Sequence, residues 1–437
     1  MRRRFHGMAM KLWAASLMVV AVSYVVAADL PPIDLSTSNT LTPAKAVAIA
    51  LEHNPQLAVA RSQRGLAAAN VIIARTYPFN PTWESAVLAA NGPPSAGITN
   101  HVFNEHIVSM PIEIRGQRNE RRAAACAGLS RAECEIVAAE ATTAVSVIRS
   151  YNTVLYRQQK LQILEDTVRF NEQIVDRGKR LVDLNQIRPA ELVLARSELA
   201  SARAQIGQGR TAVAIARAEF RTSLGTTDDS FVLAGDFEQT IANLESDTLT
   251  KIALDRRADL QAQRAAIAEA EAQLRLQVAD RYGNPTIGTR YEFNESSAHF
   301  IGGVVSVPLP VFNRKQGEIC QKQAELARTR LELRQTELQI AQAVQAALAR
   351  FREARKWADE YPAEVLPTLD KARQDLERLF AQNDQGVDVL KVLGVQSNYL
   401  KAREAYLDAR YELSQAIADL AAALGDPTVA QGSPPSK

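Results

Sequence analysis

A pattern that recurs once, about 200 residues along, limits this chain more than any other feature. Ile49–Leu57 reads IALEHNPQL and Ile252–Leu260 reads IALDRRADL. Tyr77-Pro-Phe-Asn-Pro81 returns as Tyr282-Gly-Asn-Pro285, and Val108-Ser-Met-Pro-Ile112 returns as Val305-Ser-Val-Pro-Leu309. Ser223-Leu-Gly225 closes the first stretch and Ala423-Leu-Gly425 the second. Four correspondences in one order mark an internal duplication, and a unit this long is domain-sized rather than a solenoid repeat. The expected division is a leader over 1–28, a linker over 29–40, a first unit over 41–225, a second linker over 226–245, a second unit over 246–425 and a disordered tail over 426–437.

The leader follows from charge and hydropathy. Arg2, Arg3, Arg4 and Lys11 precede an apolar run from Leu12 to Val26, and Val26-Ala27-Ala28 offers small residues at a cleavage site. This is the pattern of a secretory signal, with the cut expected between Ala28 and Asp29. Losing four positive charges turns the formal net charge of +2 into −2. A charge so near zero does not mark a nucleic-acid binder. The three cysteines cannot build a disulfide scaffold. No later apolar run reaches the roughly 18 residues of a spanning helix, so any membrane contact must use another element.

Within each unit the sequence period changes in the same order. A helix capped by Thr42, with Pro43 in its first turn, breaks at Asn54-Pro55 and resumes to about Arg75. Its counterpart runs from about Ser246 to Arg281. Strand-like alternation follows at Thr82–Ala90 and Val102–Ile112, then again at Thr286–Asn294 and Ile301–Leu309. In the clearest of these, Ile287, Thr289, Tyr291 and Phe293 face one way, and Gly288, Arg290, Glu292 and Asn294 the other. Long helices come next. One covers Gln117 to about Arg180, and another Pro189–Leu224. In the second unit a helix from Lys315 to about Tyr361 pauses at Pro362 and Pro367 and resumes to about Gln382, before a last helix over Val387–Leu424. Leu199, Ala202, Ile206, Gly209, Val213, Ala216 and Phe220 step by three and four, as do Tyr399, Ala402, Tyr406, Ala409, Leu413, Ala416, Leu420 and Ala423. That is a coiled-coil period whose many small residues favour close side-by-side packing.

The fold class expected is therefore mainly α with a small β part. Four strands of about nine residues suit the apolar thickness of an outer membrane. They cannot close a barrel, and open strand edges are not tolerated in lipid. If the strands span, several copies must share one barrel. Three copies give twelve strands around a channel lined by residues such as Arg290 and Glu292, with the long helices continuing as a tube.

These tandem units, their helix–strand–strand–helix order, and Gly386-Val-Asp-Val-Leu390 followed by Ala/Leu heptads ending in Leu424-Gly425, resemble the TolC-like outer membrane efflux proteins over about residues 41–425. The resemblance implies a homotrimer in outer-membrane lipid, with a twelve-stranded transmembrane β-barrel continuing into a long periplasmic α-helical barrel. It implies a passive exit duct served by a periplasmic membrane-fusion adaptor and an inner-membrane transporter of the RND type. Met110-Pro-Ile-Glu-Ile-Arg-Gly-Gln-Arg118 resembles the strand-to-helix turn of the CzcC-type branch, which exports divalent metal cations. Family members gate and meet the adaptor at the helical tips. The matching positions are Asp183, Asn185 and Arg188 in the first unit and Asp384, Gly386 and Asp388 in the second. Two alternatives remain at this point: a periplasmic coiled-coil adaptor or scaffold without membrane strands, and a duct for drugs or for type I secretion.

Signals for catalysis are poor. No phosphate-binding loop, zinc-protease helix, nucleophile elbow or paired-cysteine motif occurs. Gly207-Gln-Gly209 falls inside a helical heptad rather than after a strand, so it is no dinucleotide fingerprint. Cys126, Cys134 and Cys320 read as small packing residues. His101, Glu105 and His106 read as solvated residues at or near a strand end. The expectation is no enzyme, no cofactor, no resident metal and no nucleic-acid partner.

Overall fold

A computed structural model describes residues 40–92, 95, 97–98, 100, 102–184, 187–235, 237, 246–360, 365–381 and 389–431. The cleavage site at Ala28 and Asp29 lies outside these residues. The first unit runs β1 (Thr40–Leu41), α1 (Pro43–His53), α2 (Pro55–Arg75), β2 (Thr82–Ala89), β3 (Val102–Pro111), α3 (Gln117–Asp183) and α4 (Pro189–Leu224). The second runs β4 (Val232–Leu233), α5 (Ser246–Arg256), α6 (Ala258–Ala279), β5 (Thr286–Phe293), β6 (His299–Ser306), α7 (Gln316–Glu360), α8 (Val365–Ala381) and α9 (Val389–Leu424).

Local chemistry sets the boundaries. Thr42 accepts the Lys45 N–H to cap α1. Asn54 ends that helix and starts the next, accepting the N–H groups of Gln56 at 2.9 Å and Leu57 at 3.3 Å. Its amide also donates to the Ser223 carbonyl at 2.9 Å, hooking the end of α4. Arg257 holds the equivalent place in the second unit and donates to the Ala423 carbonyl at 3.1 Å. Both returning helices end on a left-handed glycine, Gly225 at φ 79° and Gly425 at φ 70°. Each unit thus fastens its beginning to its end by a different side chain at the same position.

Several boundaries differ from the sequence expectation. β6 begins at His299 and ends at Ser306, because Pro308 and Pro310 have no N–H to give a ladder. Pro367 does not interrupt a helix; it sits in the first turn of α8, where a missing N–H costs nothing. Where they are described, at Thr40 and over 226–235 and 237, the two linkers are structured. Their β1 and β4 pair in parallel, Thr40 opposite Val232 and Leu41 opposite Leu233, and Phe231 and Phe237 are buried. Nor is 426–431 a disordered tail, since Val429 and Ala430 are fully buried against the main core.

At 67 residues α3 is about 100 Å long. It lies between α2 and α6, α7 packs on α6, and α4 and α9 flank the lower course of α3. This is the side-by-side helix packing that the small seam residues favour. A Cβ on Gly209 would come within 3.1 Å of Leu161 and Leu164. A layer one helix thick has little interior, so apolar side chains concentrate where extra elements cover it. The main core gathers α1, α4, α5, α7 and α9 around Tyr151 of α3. The Tyr151 hydroxyl lies 2.8 Å from the Leu41 carbonyl and 2.6 Å from that of Ala234, tying the parallel ribbon to α3. Burial pushes its pKa up to about 12. In so thin a layer Cys126 and Cys320 are exposed and Cys134 is half-buried, so the three cysteines are not the small packing residues their sequence suggests.

Candidate functional site

The four long strands form one antiparallel sheet in the order β2-β3-β5-β6. β3 of the first unit pairs with β5 of the second, His106 opposite Tyr291 and Ser109 opposite Gly288. Alternation then sorts the side chains into two faces. One is apolar, with Trp83, Val87, Val108, Ile287, Ile301 and Val305 all exposed. A row of rings crosses it: Trp83 to His106 at 6.0 Å, His106 to Tyr291 at 6.1 Å, and Tyr291 to His299 at 6.0 Å. So large an uncovered apolar surface marks contact with lipid or another chain. Among the described residues no helix is long and apolar enough to cross a membrane.

The opposite face is charged. Glu105 and Glu292 stand directly across from each other on β3 and β5. Two carboxylates so placed repel. Arg290 relieves them, with Nε 2.8 Å from Glu105 Oε1 and Nη2 2.7 Å from Glu292 Oε2. Glu84 lies on the same face of β2, through its register with Ile107 and that of Ile107 with Arg290. Of the residues singled out in sequence, Arg290 and Glu292 come together, and Glu105 joins them. Glu105 and His106 are not solvated loop residues; both are inside β3 and point to opposite faces, while His101 lies outside the described residues. The partnership of Glu105 was missed because it depends on pairing between the two units. Among the described residues no three or more His, Cys, Asp or Glu side chains gather as metal ligands.

The strand-to-helix turn is built to join units. Gly116 adopts φ 73° just before α3. Gln117, fully buried, accepts the Arg115 N–H at 2.8 Å and donates to Asn284 Oδ1 at 2.7 Å. Arg115 lies 4.0 Å from the centre of the Tyr282 ring, and Ile112 N–H donates to the Pro285 carbonyl at 2.8 Å. Glu113 is engaged by Arg121 through contacts of 2.6 and 3.2 Å. Burial raises the pKa of nearby Asp280, and the Glu113 charge adds to it against Lys315 and Arg121.

Asp183 is the last residue of α3 and Arg188 immediately precedes α4, both exposed. Asn185, Asp384, Gly386 and Asp388 lie outside the described residues.

The fold is that of known outer-membrane channels. A structure of CusC, solved to follow folding and transmembrane channel formation, superposes with a TM-score of 0.71 at 18% identity, covering 88% of this chain and 92% of that one. The CmeC outer membrane channel of Campylobacter jejuni gives 0.72 at 15% identity over 90% and 87%. The open state of the MtrE outer membrane channel of Neisseria gonorrhoeae gives 0.66 at 17% identity over 88% and 89%. In sequence, the cobalt-zinc-cadmium resistance protein CzcC of Cupriavidus metallidurans is 22% identical over 214 residues, 48% of this chain, and the match spans about half, 51%, of that relative. The family model for outer membrane efflux proteins matches residues 46–226 and again 249–426, one match to each unit. The chain belongs to the outer membrane efflux protein family, whose members are channels of the bacterial outer membrane with a helical extension into the periplasm.

Proposed function

We propose that three copies of this chain form a passive exit duct, twelve strands closing a barrel in the outer membrane above a periplasmic helical tube. The observation that carries it is the open sheet. Among the described residues nothing pairs with the outer edges of β2 and β6 or covers their apolar face, and every residue of β2 is exposed. Lipid does not tolerate such edges, so neighbouring copies must pair them. Units 41–225 and 246–425 then serve as six similar staves. The face bearing Glu84, Glu105, Arg290 and Glu292 turns to the lumen and the ringed face to lipid.

The duct has no energy source of its own and receives solute from a periplasmic adaptor and an inner-membrane transporter of the RND type. Divalent metal cations are the proposed cargo, supported by the CzcC relative and by the acidic excess on the lumen face. The tip residues Asp183, Asn185, Arg188, Asp384, Gly386 and Asp388 form the gate and the adaptor contact. Planar-bilayer recording tests the duct: the wild type conducts poorly and Asp384→Ala with Asp388→Ala conducts well. Absence of conductance from both, in a correctly inserted protein, refutes it. A deletion strain challenged with metals, drugs and dyes in parallel tests the cargo; sensitivity to drugs alone refutes the metal assignment.

A further inference from the structure

The chain contains, inside itself, a copy of the joint that its free edges lack. Where the first unit meets the second, four features coincide. β3 lies on β5, Ile112 N–H donates to the Pro285 carbonyl, Gln117 donates to Asn284, and α3 lies along α6. The duplication supplies an equivalent for each partner. Val108–Ile112 corresponds to Val305–Leu309, Gln117 to Gln316, and Asn284-Pro285 to Asn80-Pro81. The correspondence extends to conformation. Gln316 accepts the Arg314 N–H at 2.8 Å as Gln117 accepts that of Arg115, and Lys315 adopts φ 53° where Gly116 adopts 73°.

The equivalents on the free edges are unsatisfied. Gln316 and Asn80 are exposed, and among the described residues neither the Gln316 amide N–H nor the Asn80 side chain has a partner. Helix positions behave alike. Ala132 and Ala262, on the joined helices, are buried at 9% and 6%; their counterparts Leu331 on α7 and Val59 on α2 are 65% and 64% exposed. Val59, Leu66 and Ile73 repeat every seven residues along α2, and Leu331 and Leu338 do so along α7. α2 and α7 are not packed on each other within the chain.

Within the duct proposed above, where β6 of one copy pairs with β2 of the next, we infer the register and a clasp: Val305 stands opposite Ser85 and Val304 opposite Ala86, and Gln316 donates to Asn80 of the neighbouring copy. The pairing follows by carrying the observed register of β3 on β5 through the duplication. It has an internal check. Ser85 shares the apolar face with Trp83 and Val87, and Val305 shares it with Ile287. The transferred register therefore joins apolar face to apolar face, whereas a slip of one residue would set lipid-facing side chains against lumen-facing ones. Leu309 N–H then reaches the Pro81 carbonyl of the neighbour, as Ile112 reaches Pro285. The two joints differ in one respect: the turn between strand and Gln316 is two residues longer than that before Gln117.

This inference rests on the trimeric duct, and cysteine cross-linking in outer membranes separates the two. In full-length protein with Cys126, Cys134 and Cys320 replaced by Ser, Ser85→Cys with Val305→Cys places thiols directly opposite each other. Copper phenanthroline then yields disulfide-linked dimers and trimers on non-reducing gels. Ala89→Cys with Val305→Cys sits four residues out of register, roughly 13 Å away, and stays monomeric on the same gels. Cross-linking of the second pair instead of the first, with trimers intact on native gels, overturns the register and leaves the duct standing. Native monomers overturn both. Asn80→Ala and Gln316→Ala each lower the temperature at which native trimers dissociate, and the double variant falls no further than either alone. Additive losses overturn the clasp between them.

Discussion

Replacing Tyr151 with Phe removes one oxygen from the centre of the molecule and leaves the ring. The ring still meets Phe220 edge-on at 5.8 Å, so packing is conserved. What is lost is the hydroxyl bridge to the Leu41 and Ala234 carbonyls. The Leu41 carbonyl keeps the Ala234 N–H at 3.0 Å, so only one buried acceptor is left without a donor. The expected cost at neutral pH is about 1–2 kcal/mol. The sign reverses in alkali. A folded pKa of about 12, against an ordinary 10, means the native state keeps a proton that the unfolded chain gives up. That contribution is whole below about pH 10 and is lost as pH climbs towards 12, reaching about 2.7 kcal/mol at full ionisation. Half of it is gone near pH 11, which is close to the worth of the hydrogen bond. Guanidinium unfolding of detergent-solubilised protein, followed by intrinsic fluorescence across pH 7–12, therefore shows wild type above Tyr151→Phe at pH 8. The two meet near pH 11, and above it the variant is the more stable. A constant gap across that range refutes the assignment of the proton to Tyr151.

Arg290→Gln leaves Glu105 facing Glu292 without a counter-charge and raises the net negative charge of that face from two to three per copy; bilayer reversal potentials in a KCl gradient shift towards greater cation preference, most at low salt, and an unchanged potential removes this face from the ion path. Gly225→Ala forces a left-handed φ on alanine and drives its Cβ to 2.8 Å from the His53 carbonyl oxygen and the Pro55 ring; it costs more than about 2 kcal/mol in denaturant unfolding. Asn54→Ala removes a cap and the hook to Ser223 and lowers stability by about 2 kcal/mol, whereas Asn54→Ser, which keeps the cap, recovers about half by the same assay.

What could be read from sequence follows the range of the interactions. The Thr42 cap and the Asn54-Pro55 break are settled within four residues, and the structure has them where the residues put them. The alternation of Ile287 to Phe293 is likewise local, so the two faces of β5 were legible. The end of β6 was legible too, in Pro308, but its apolar run masked the missing donor. The bond between Arg290 and Glu105 was not, because residues 185 positions apart meet only through the register of β3 on β5. The exposure of Cys126 and Cys320 was hidden for a different reason. Burial in a wall one helix thick depends on what lies alongside each helix, which heptad spacing alone does not state. Val429 and Ala430 follow a Pro in a short polar stretch, and only the core beneath them explains why they are covered.

The contact of β3 with β5 has a consequence for stoichiometry. A fence of identical panels closes only when the angles between panels add to a full circle, and in the trimer proposed above every second hinge is contained within one polypeptide. The number of members in that proposed ring depends on the angle at which a single molecule bends upon itself, together with the angle at which it meets its neighbour. A residue change that flattens or sharpens this bend alters how many members complete the circle, even with both outer margins untouched.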